Sequence, residues 1–308
     1  MEWFHAVVLG VLQGLTEFLP ISSSAHLRIY PELFGWEDPG AAFTAVTQIG
    51  TETAVILYFA KDIGRIINAW VRSLFDREAM RAPAVVGAAS RADAVESEVA
   101  GMGPRRRRSH RRRSWDPADA RMGWYVIIGT LPIVVVGLVL KDVIEDDFRS
   151  LWVIGTTLIV LGIILGVADR IGRKDRALSD LNLRHAVAIG CAQALAVIPG
   201  VSRSGSSISL ALLLGYERAA AARFAFLLAI PAVLGAGFFE WPTALGEDAV
   251  YGAGPTILAT AIAFAVGYAV IAWLMKWLEH RSYAPFVVYR IALGVLTLTL
   301  LATGTLSS

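Results

Sequence analysis

The sequence contains little cysteine and little charge. Cys191 is the only cysteine among 308 residues, so a single chain cannot build a disulfide framework or a cysteine-based metal site. Because Cys191 sits in an apolar run, we expect it to pack in the core. Charged residues make up only 18% of the chain. No Lys or Arg precedes the first apolar stretch, which contains Glu17 and Pro20, and this pattern disfavours a cleaved signal peptide.

Long apolar runs dominate the chain. Hydrophobic residues account for 56% of it, and the mean hydropathy is +0.57, well above that of a soluble domain. Runs long enough to span a bilayer occur at 41–60, 124–141, 151–168, 220–239, 254–275 and 285–303. Two further apolar pieces, 3–20 and 185–198, each stop at a proline that is followed by serines and another short apolar stretch. We therefore predict an all-α polytopic membrane protein with about six full transmembrane helices and two re-entrant helix hairpins.

The charges of the connecting loops predict the orientation. The loops 72–122, 169–184 and 276–281 are basic, whereas 141–150 and 240–253 are mainly acidic. By the positive-inside rule the basic loops are cytoplasmic and the acidic loops lie outside. The first hairpin must then enter the membrane from outside and the second from inside.

Opposite entry of the hairpins predicts an inverted repeat, and the sequence contains one. The matching segments are Gly10–Gln13 followed by Pro20 with Gly190–Gln193 followed by Pro199, and Ala41–Phe59 with Ala221–Phe239. Broken helices from two inverted halves commonly meet near the membrane midplane. We therefore expect the two polar breaks to face each other.

The chain divides at its most basic segment. Residues 1–71 form the first half of the membrane domain, 72–122 an Arg-rich cytoplasmic loop without stable structure, and 123–308 the remainder of the same domain with the second hairpin. The loop carries two arginine runs, Arg105–Arg108 and Arg111–Arg113. Such runs are attracted to anionic lipid headgroups, so we expect membrane lipids and not nucleic acid as the partner.

The first break carries a carboxylate, hydroxyls and an imidazole. Gln13 and Glu17 are four residues apart and share one helix face, where they either address one ligand or bind neighbouring helices. Ser22, Ser23 and Ser24 follow Pro20, and capping of the next helix is their alternative role. His26 lies within reach of Ser22 or Ser23 on a helix, and a base beside a hydroxyl is the minimal activated nucleophile. The alternative role of His26 is a hydrogen bond at a helix interface.

The second break is a Gly/Ser loop that opens a helix and carries Arg203. Backbone N–H groups, hydroxyls and a helix N-terminus together form an anion site, and a guanidinium suits phosphate oxygens. The candidate anion-binding residues are Gly200, Ser202, Ser204, Gly205 and Ser207. The alternative is an ion pair between Arg203 and Glu17 without an anion. Together the two breaks supply the groups that phosphoryl transfer requires.

At these residues the chain resembles a known family. QGLTEFLPISSSAH at 13–26 and PGVSRSGSS at 199–207 resemble the two signature regions of the undecaprenyl-pyrophosphate phosphatases of the bacitracin-resistance type. FTAVTQIG, FAFLLAIP and PFVVYR extend the resemblance over the chain. It implies hydrolysis of a C55 polyprenyl pyrophosphate to the monophosphate and phosphate, with a divalent metal, at the outer face of the bacterial plasma membrane. A homodimer remains open.

The family's site residues map onto this sequence by position. Gln13 and Glu17 match the family's (E/Q)xxxE pair, Ser22, Ser23 and His26 its serine and histidine positions, and Ser202, Arg203 and Ser204 its second motif. Gln13 stands where Glu is common, which leaves fewer carboxylates for Mg²⁺, or alternatively Ca²⁺. Ser207 and Ala25 also depart, standing where Thr and Gly are common.

Our working hypothesis for the mechanism is an attack by Ser23 on phosphorus, with His26 taking the proton and Glu17, aided by Gln13, holding metal or orienting water. The rival mechanism has His26 or Glu17 activating water directly. Glu52 and Arg290 are further charges within predicted spans; Glu52 is a candidate to line the cavity and Arg290 a structural partner. The rival function is a secondary transporter or a flippase for the lipid monophosphate.

Overall fold

The computed structural model describes residues 2–75, 115–140, 149–246 and 249–306. In this part of the chain the ordered elements are all helical. They are α1 (Glu2–Thr16), α2 (Ser23–Phe34), α3 (Gly40–Tyr58), α4 (Ala60–Phe75), α5 (Pro117–Val139), α6 (Leu151–Ile171), α7 (Leu183–Ala194), α8 (Arg203–Leu213), α9 (Arg218–Ala244), α10 (Ala253–His280) and α11 (Ala284–Ala302). Single 3₁₀ turns cover Leu178–Asp180 and Leu195–Val197.

Every predicted span coincides with a helix. By length and composition α5, α6, α9, α10 and α11 can each cross a membrane. The remaining span, α3, is 19 residues long but carries a buried polar stripe that includes Thr47, Thr51 and Glu52. A polar stripe at membrane depth must face protein and not lipid. The prediction of a polytopic all-α membrane protein is confirmed.

Both predicted hairpins are present as helix, break and helix. Residues 17–22 separate α1 from α2, and residues 195–202 separate α7 from α8. The shorter arms have only 11 to 15 residues, too few to cross a bilayer of about 30 Å at 1.5 Å per residue. The two hairpins are therefore re-entrant in length, as predicted.

The two halves repeat the same helix packing. A Cβ at Gly10 of α1 would lie 2.6 Å from the carbonyl oxygen of Ala259 on α10, and a Cβ at Gly190 of α7 would meet the carbonyl oxygen of Gly129 on α5. Equivalent glycines thus let each first arm approach the backbone of an equivalent long helix. The repeat pairs α1 with α7, α3 with α9, and α10 with α5.

Two ion pairs show that the halves run in opposite directions. Asp38, just before α3, binds Arg149 just before α6, at 2.5 Å. Arg218, which begins α9, binds Asp169 in the last turn of α6, at 2.6 Å. Since α6 has 21 residues, its ends lie about 30 Å apart. The starts of α3 and α9 are therefore at opposite ends of one helix, as an inverted repeat requires.

Helix α11 packs closely along α6. A Cβ at Gly294 would lie 2.7 Å from the carbonyl oxygen of Gly155, and a Cβ at Gly162 would lie 2.8 Å from Ile291. Small residues that bring backbones together are the usual device of helix packing in membranes. Because α11 lies along α6, its residue Arg290 is close to both breaks.

Three expectations from the sequence need correction. The loop predicted at 72–122 is helical at both ends, because α4 continues to Phe75 and α5 begins at Pro117; the arginine runs lie outside the described residues. The sequence analysis also missed α4, because its charged residues interrupt the apolar run along the sequence. Cys191 is exposed on α7 and not in the core, since a short arm buries only one of its faces.

The segment 61–124 forms a compact unit of its own. Within it Arg65 binds Asp62 at 3.0 Å and Asp119 at 3.3 Å. The rings of Trp70 and Trp124 lie edge to face with centroids 5.6 Å apart.

Replacing Gly10 or Gly190 with alanine is expected to destabilise the protein by about 1–3 kcal/mol, because the added Cβ must displace a backbone carbonyl. Thermal unfolding of the purified variants in detergent should show lower midpoints for both. Gly64 on α4 is the control, since a Cβ there meets nothing within 4 Å. A Gly10→Ala midpoint equal to that of Gly64→Ala would contradict the packing.

Candidate active site

The two breaks meet, as the sequence predicted, and an ion pair joins them. Arg203 Nη2 donates to Glu17 Oε1, so the ion pair considered as an alternative role for Arg203 is formed. Ser204 Oγ also approaches the carbonyl oxygen of Glu17, at 3.4 Å. Both contacts link residues more than 180 positions apart in the chain. The site is therefore built from both halves of the repeat.

The Glu17 carboxylate is the centre of this junction. Its Oε2 accepts hydrogen bonds from Ser23 Oγ at 2.6 Å and from Gln13 Nε2 at 2.8 Å, while Oε1 accepts from Arg203. A hydroxyl that already donates to a carboxylate is placed to lose its proton to it. The partner of the Ser23 hydroxyl is thus Glu17, and Gln13 steadies that partner from one turn away.

Each break contains a serine in a strained backbone conformation. Ser22 has φ 72° and Ser202 has φ 71°, and the two occupy equivalent positions of the repeat. A residue with a side chain at such a φ costs on the order of 1–3 kcal/mol, and such residues cluster at functional sites. The strained serines turn the chain sharply, so that Ser23 and Arg203 become the first residues of α2 and α8.

The starts of α2 and α8 leave backbone donors free. Ser202 Oγ accepts from the N–H of Gly205 at 3.1 Å. Within the described ranges the N–H groups of Ser23, Ser24, Arg203 and Ser204 have no acceptor. Unpaired N–H groups at a helix N-terminus, together with the helix dipole, favour an anion. Two such termini here converge on one place.

His26 has the contacts of its alternative role, hydrogen bonds at a helix interface, and not those of a base beside Ser23. Its Nδ1 lies 2.7 Å from the carbonyl oxygen of Ser22 and its Nε2 2.8 Å from the hydroxyl of Tyr289. Because a carbonyl oxygen only accepts, Nδ1 carries a hydrogen, and the neutral ring accepts at Nε2 from Tyr289. Both ring nitrogens are occupied by these partners. The structure therefore does not bring His26 to the Ser23 hydroxyl. Residue spacing alone could not show that Tyr289 binds the imidazole instead.

Arg290 is the structural partner that the sequence allowed. It is fully buried and donates to the carbonyl oxygens of Leu158, Pro20, Gly200 and Val201 at 2.8–3.1 Å. A Cβ at Gly205 would lie 2.9 Å from Arg290 Nη1. Gly205 is thus required by packing against this guanidinium.

A cavity of about 490 Å³ begins at the junction. Its polar wall consists of Glu17, Ser22, Ser23, Ser24, Gln48, Ser202, Arg203 and Glu240. Its apolar wall is formed by α3, α5 and α9, with small residues such as Gly137, Gly235 and Ala236. The lining residues Leu138 and Phe239 are 67% and 61% exposed, so the cavity reaches the surface between α5 and α9.

The remaining predicted residues lie behind the cavity wall. Gly200 has φ 90°, and a Cβ there would meet Thr157, so its role is close approach to α6. Ser207 and Glu52 are buried, each with an oxygen that has no partner among the described residues. Neither lines the cavity. The prediction that Glu52 lines the cavity is therefore wrong, because the side chain is buried behind the cavity wall.

Sequence reasoning missed Tyr289 and the apolar wall. Tyr289 precedes Arg290 in the PFVVYR segment, so a polar pair within an apolar span was the available signal. The small residues of α5 and α9 gave no such signal, because glycine and alanine are frequent throughout transmembrane helices.

Gln13 and Glu17 could hold a divalent cation whose remaining ligands come from the substrate and water. Gln13 Oε1 is buried and has no hydrogen-bond partner in the described structure, and Glu17 offers carboxylate oxygens beside it. No group of three or more His, Cys, Asp or Glu side chains that could hold a metal occurs among the described residues. Mg²⁺ often takes one or two carboxylates and completes its shell with phosphate oxygens and water. The donor set fits that mode.

Comparison with known proteins places these features in context. The family model for bacitracin resistance protein BacA matches residues 6–296. A protein named undecaprenyl-diphosphatase from Nocardioides sp. is 57% identical over 308 residues, covering all of both chains. Undecaprenyl-diphosphatase 2 from Streptomyces avermitilis is 50% identical, covering all of this chain and 97% of its own. An undecaprenyl-diphosphatase from Micrococcus luteus is 48% identical with full coverage of both.

Proposed function

The chain belongs to the bacitracin resistance protein BacA family, and on that premise we propose how the junction of its two breaks performs the family's reaction. The protein is a multi-pass membrane enzyme that hydrolyses undecaprenyl diphosphate to undecaprenyl phosphate and phosphate. The product is the lipid carrier of cell-wall synthesis, and recycling it confers bacitracin resistance. The observation that carries the proposed mechanism is the hydrogen bond from Ser23 Oγ to Glu17 Oε2 opposite Arg203.

The pyrophosphate is proposed to lie between the starts of α2 and α8. Arg203 and the free N–H groups of Ser23, Ser24 and Ser202, residues that line the cavity, supply donors from both sides. These donors are fixed before the substrate arrives, so they stabilise charge as it develops on the transferring phosphoryl group. Arg203 meets this charge by extending its contact with Glu17 to the phosphate oxygens.

Ser23 is proposed as the nucleophile and Glu17 as its base. Ser23 Oγ forms a bond to the terminal phosphorus while the bond from that phosphorus to the bridging oxygen breaks, and undecaprenyl phosphate leaves with that oxygen. The hydroxyl proton passes to Glu17 Oε2, 2.6 Å away. Water then attacks the phosphoserine, phosphate leaves, and Ser23 regains its proton from Glu17. His26 takes no proton in this scheme.

A divalent cation, Mg²⁺ or Ca²⁺, is proposed to be held by Glu17 and Gln13 and, when bound, to neutralise pyrophosphate charge. The unpartnered Gln13 Oε1 supports this assignment. The polyprenyl tail is proposed to leave the cavity between α5 and α9, past Gly137 and Gly235, where the lining is apolar and open to the surface.

The cavity is proposed to open toward the outer side of the plasma membrane. Glu240, which lines it, belongs to the acidic segment 240–253, and a neighbouring pocket lined by Arg149 and Tyr251 shares Glu240 and Ala41 with it. The segments around the mouth are therefore those that the positive-inside rule places outside.

Transport of the lipid monophosphate is the rival function that the inverted repeat favours. A carrier needs the equivalent space on the other side, between α3, α9 and α10, to open. There the rings of Phe18 and Phe226 pack edge to face at 5.5 Å, and Phe18 lies against Gly267. The aromatic filling of this space supports hydrolysis at a single opening.

Purified protein in detergent should release phosphate from undecaprenyl diphosphate, and Ser23→Ala should lower kcat on the order of 1,000-fold or more because the nucleophile is lost. Arg203→Ala should lower kcat/KM by about 100-fold or more through lost charge stabilisation. Ser73→Ala is the matched control, since that hydroxyl only donates to the carbonyl oxygen of Trp70.

Acid quenching during turnover of ³²P-labelled substrate should trap label on Ser23. A Ser23→Ala variant with wild-type turnover would instead establish attack by water. If wild-type protein shows a cooperative thermal unfolding transition, and is therefore folded, but releases no phosphate, the result would favour the rival function of lipid transport.

Chelation should stop the reaction if Gln13 and Glu17 share a cation with the substrate. EDTA is expected to reduce phosphate release at least tenfold, excess Mg²⁺ to restore it, and EDTA presaturated with Mg²⁺ to have no effect. Gln13→Glu adds a carboxylate, so its half-maximal Mg²⁺ concentration should fall relative to the wild type. An unchanged Mg²⁺ dependence in Gln13→Glu would remove Gln13 from the metal site.

Single cysteines can test the orientation in a Cys191→Ser background. We expect Glu37→Cys, exposed beside Asp38, to react with a membrane-impermeant maleimide in intact cells. Arg173→Cys, exposed at the opposite end, should react only after permeabilisation. The reverse labelling pattern would place the cavity on the cytoplasmic side.

A further inference from the structure

Two adjacent residues of α11 hold the backbone of both breaks without facing the cavity. Arg290 donates to the carbonyl oxygens of Pro20, Gly200 and Val201. Tyr289 holds His26, which in turn donates to the carbonyl oxygen of Ser22. Neither Tyr289 nor Arg290 lines the cavity.

The charge of Arg290 has an unusual partner set. No carboxylate lies within ion-pair distance of it in the part of the chain that the structure describes, and its hydrogen-bond partners there are all backbone carbonyls. A cation at membrane depth is expensive and is usually paired or functional. We therefore expect the role of Arg290 to depend on its hydrogen bonds to backbone carbonyl oxygens.

The planarity of the peptide bond supplies that role. The carbonyl of one residue and the N–H of the next share a plane and point in opposite directions. A Val201 carbonyl turned to Arg290 therefore directs the N–H of Ser202 away from Arg290. A Ser22 carbonyl turned to His26 likewise directs the N–H of Ser23 away from the ring. Both N–H groups lack an acceptor among the described residues, and both serines line the cavity.

We propose that Tyr289 and Arg290 are positioning residues for the hydrolysis, which keep the carbonyl oxygens of both breaks out of the cavity and its N–H groups turned in. This rests on the proposed function. If one of these peptide planes flipped, a carbonyl oxygen would replace a donor facing the pyrophosphate. The site would then repel the charge that it must stabilise. The same anchoring fixes Ser22, and through it the attack position of Ser23.

The guanidinium is required for this role, and its charge alone is not sufficient. Arg290 spreads its bonds over four carbonyls on three segments of chain. A lysine ammonium has the same charge but three donors on one atom, and it cannot reproduce a planar fork. Arg290→Lys therefore keeps the positive charge but removes the hydrogen-bond geometry, so the variant tests the two contributions separately.

The test measures kcat, KM and the thermal unfolding midpoint of each variant in the same detergent. For Arg290→Lys we expect kcat to fall on the order of 100-fold, the loss typical of a small misplacement. KM should change less than threefold, since Arg203 still holds the substrate. For Tyr289→Phe, which removes one hydroxyl from a ring that is 41% exposed, kcat should fall about tenfold at an unchanged midpoint.

Arg173→Lys and Tyr268→Phe are the matched controls, as both side chains are exposed and outside the site, and both should keep wild-type kcat. Wild-type kcat in Tyr289→Phe and Arg290→Lys would overturn the proposal while leaving the proposed hydrolysis intact. So would a loss that follows only the folded fraction, with kcat per folded molecule unchanged. If Arg290→Lys does not fold, Tyr289→Phe alone decides. An inactive wild type would instead overturn the proposed function.

Discussion

Backbone groups that leave a helix inside a membrane must find partners within the protein, because lipid offers none. The site depends on how the two breaks meet this constraint. Their carbonyl oxygens are taken by Arg290, His26 and Thr157. The N–H groups that begin α2 and α8 are left at the cavity wall. A surface that hides acceptors and exposes donors is suited to an anion, so the same arrangement that satisfies the backbone also creates the proposed substrate site.

The inverted repeat supplies one backbone twice and fills it with different chemistry. Ser22 and Ser202 share the same strained φ. The next residue is Ser23 in the first half and Arg203 in the second. The proposed nucleophile and the guanidinium thus stand at equivalent positions and approach the same point from opposite ends of the membrane domain. Phosphoryl transfer needs this asymmetry, because one side must attack the group that the other side holds.

Much of the fold could be predicted because a membrane span requires a long apolar run, which is visible in the sequence. Spans, breaks and the repeat follow from apolar runs, prolines and serines, and all of them are present in the structure. Helix α4 was missed because charges such as Lys61 and Arg65 interrupt its apolar pattern. The partner of His26 was missed for another reason: Tyr289 lies 263 positions away, and local spacing carries no information about such contacts. Glu17 was predicted to be catalytic, but its contact with Ser23 Oγ depends on the sharp turn at Ser22.

The balance of charge at the junction explains why substrate binding is favourable at a site so deeply buried. Arg203 is paired with Glu17, whereas the charge of Arg290 is spread over carbonyl oxygens and is not neutralised by them. Two helix N-termini add further positive potential. The donors at the starts of α2 and α8 therefore present positive potential to the cavity, and a medium of low dielectric strengthens its effect on a bound charge. A pyrophosphate carries more negative charge than the monophosphate product, so this potential favours the diphosphate over its product at the proposed site.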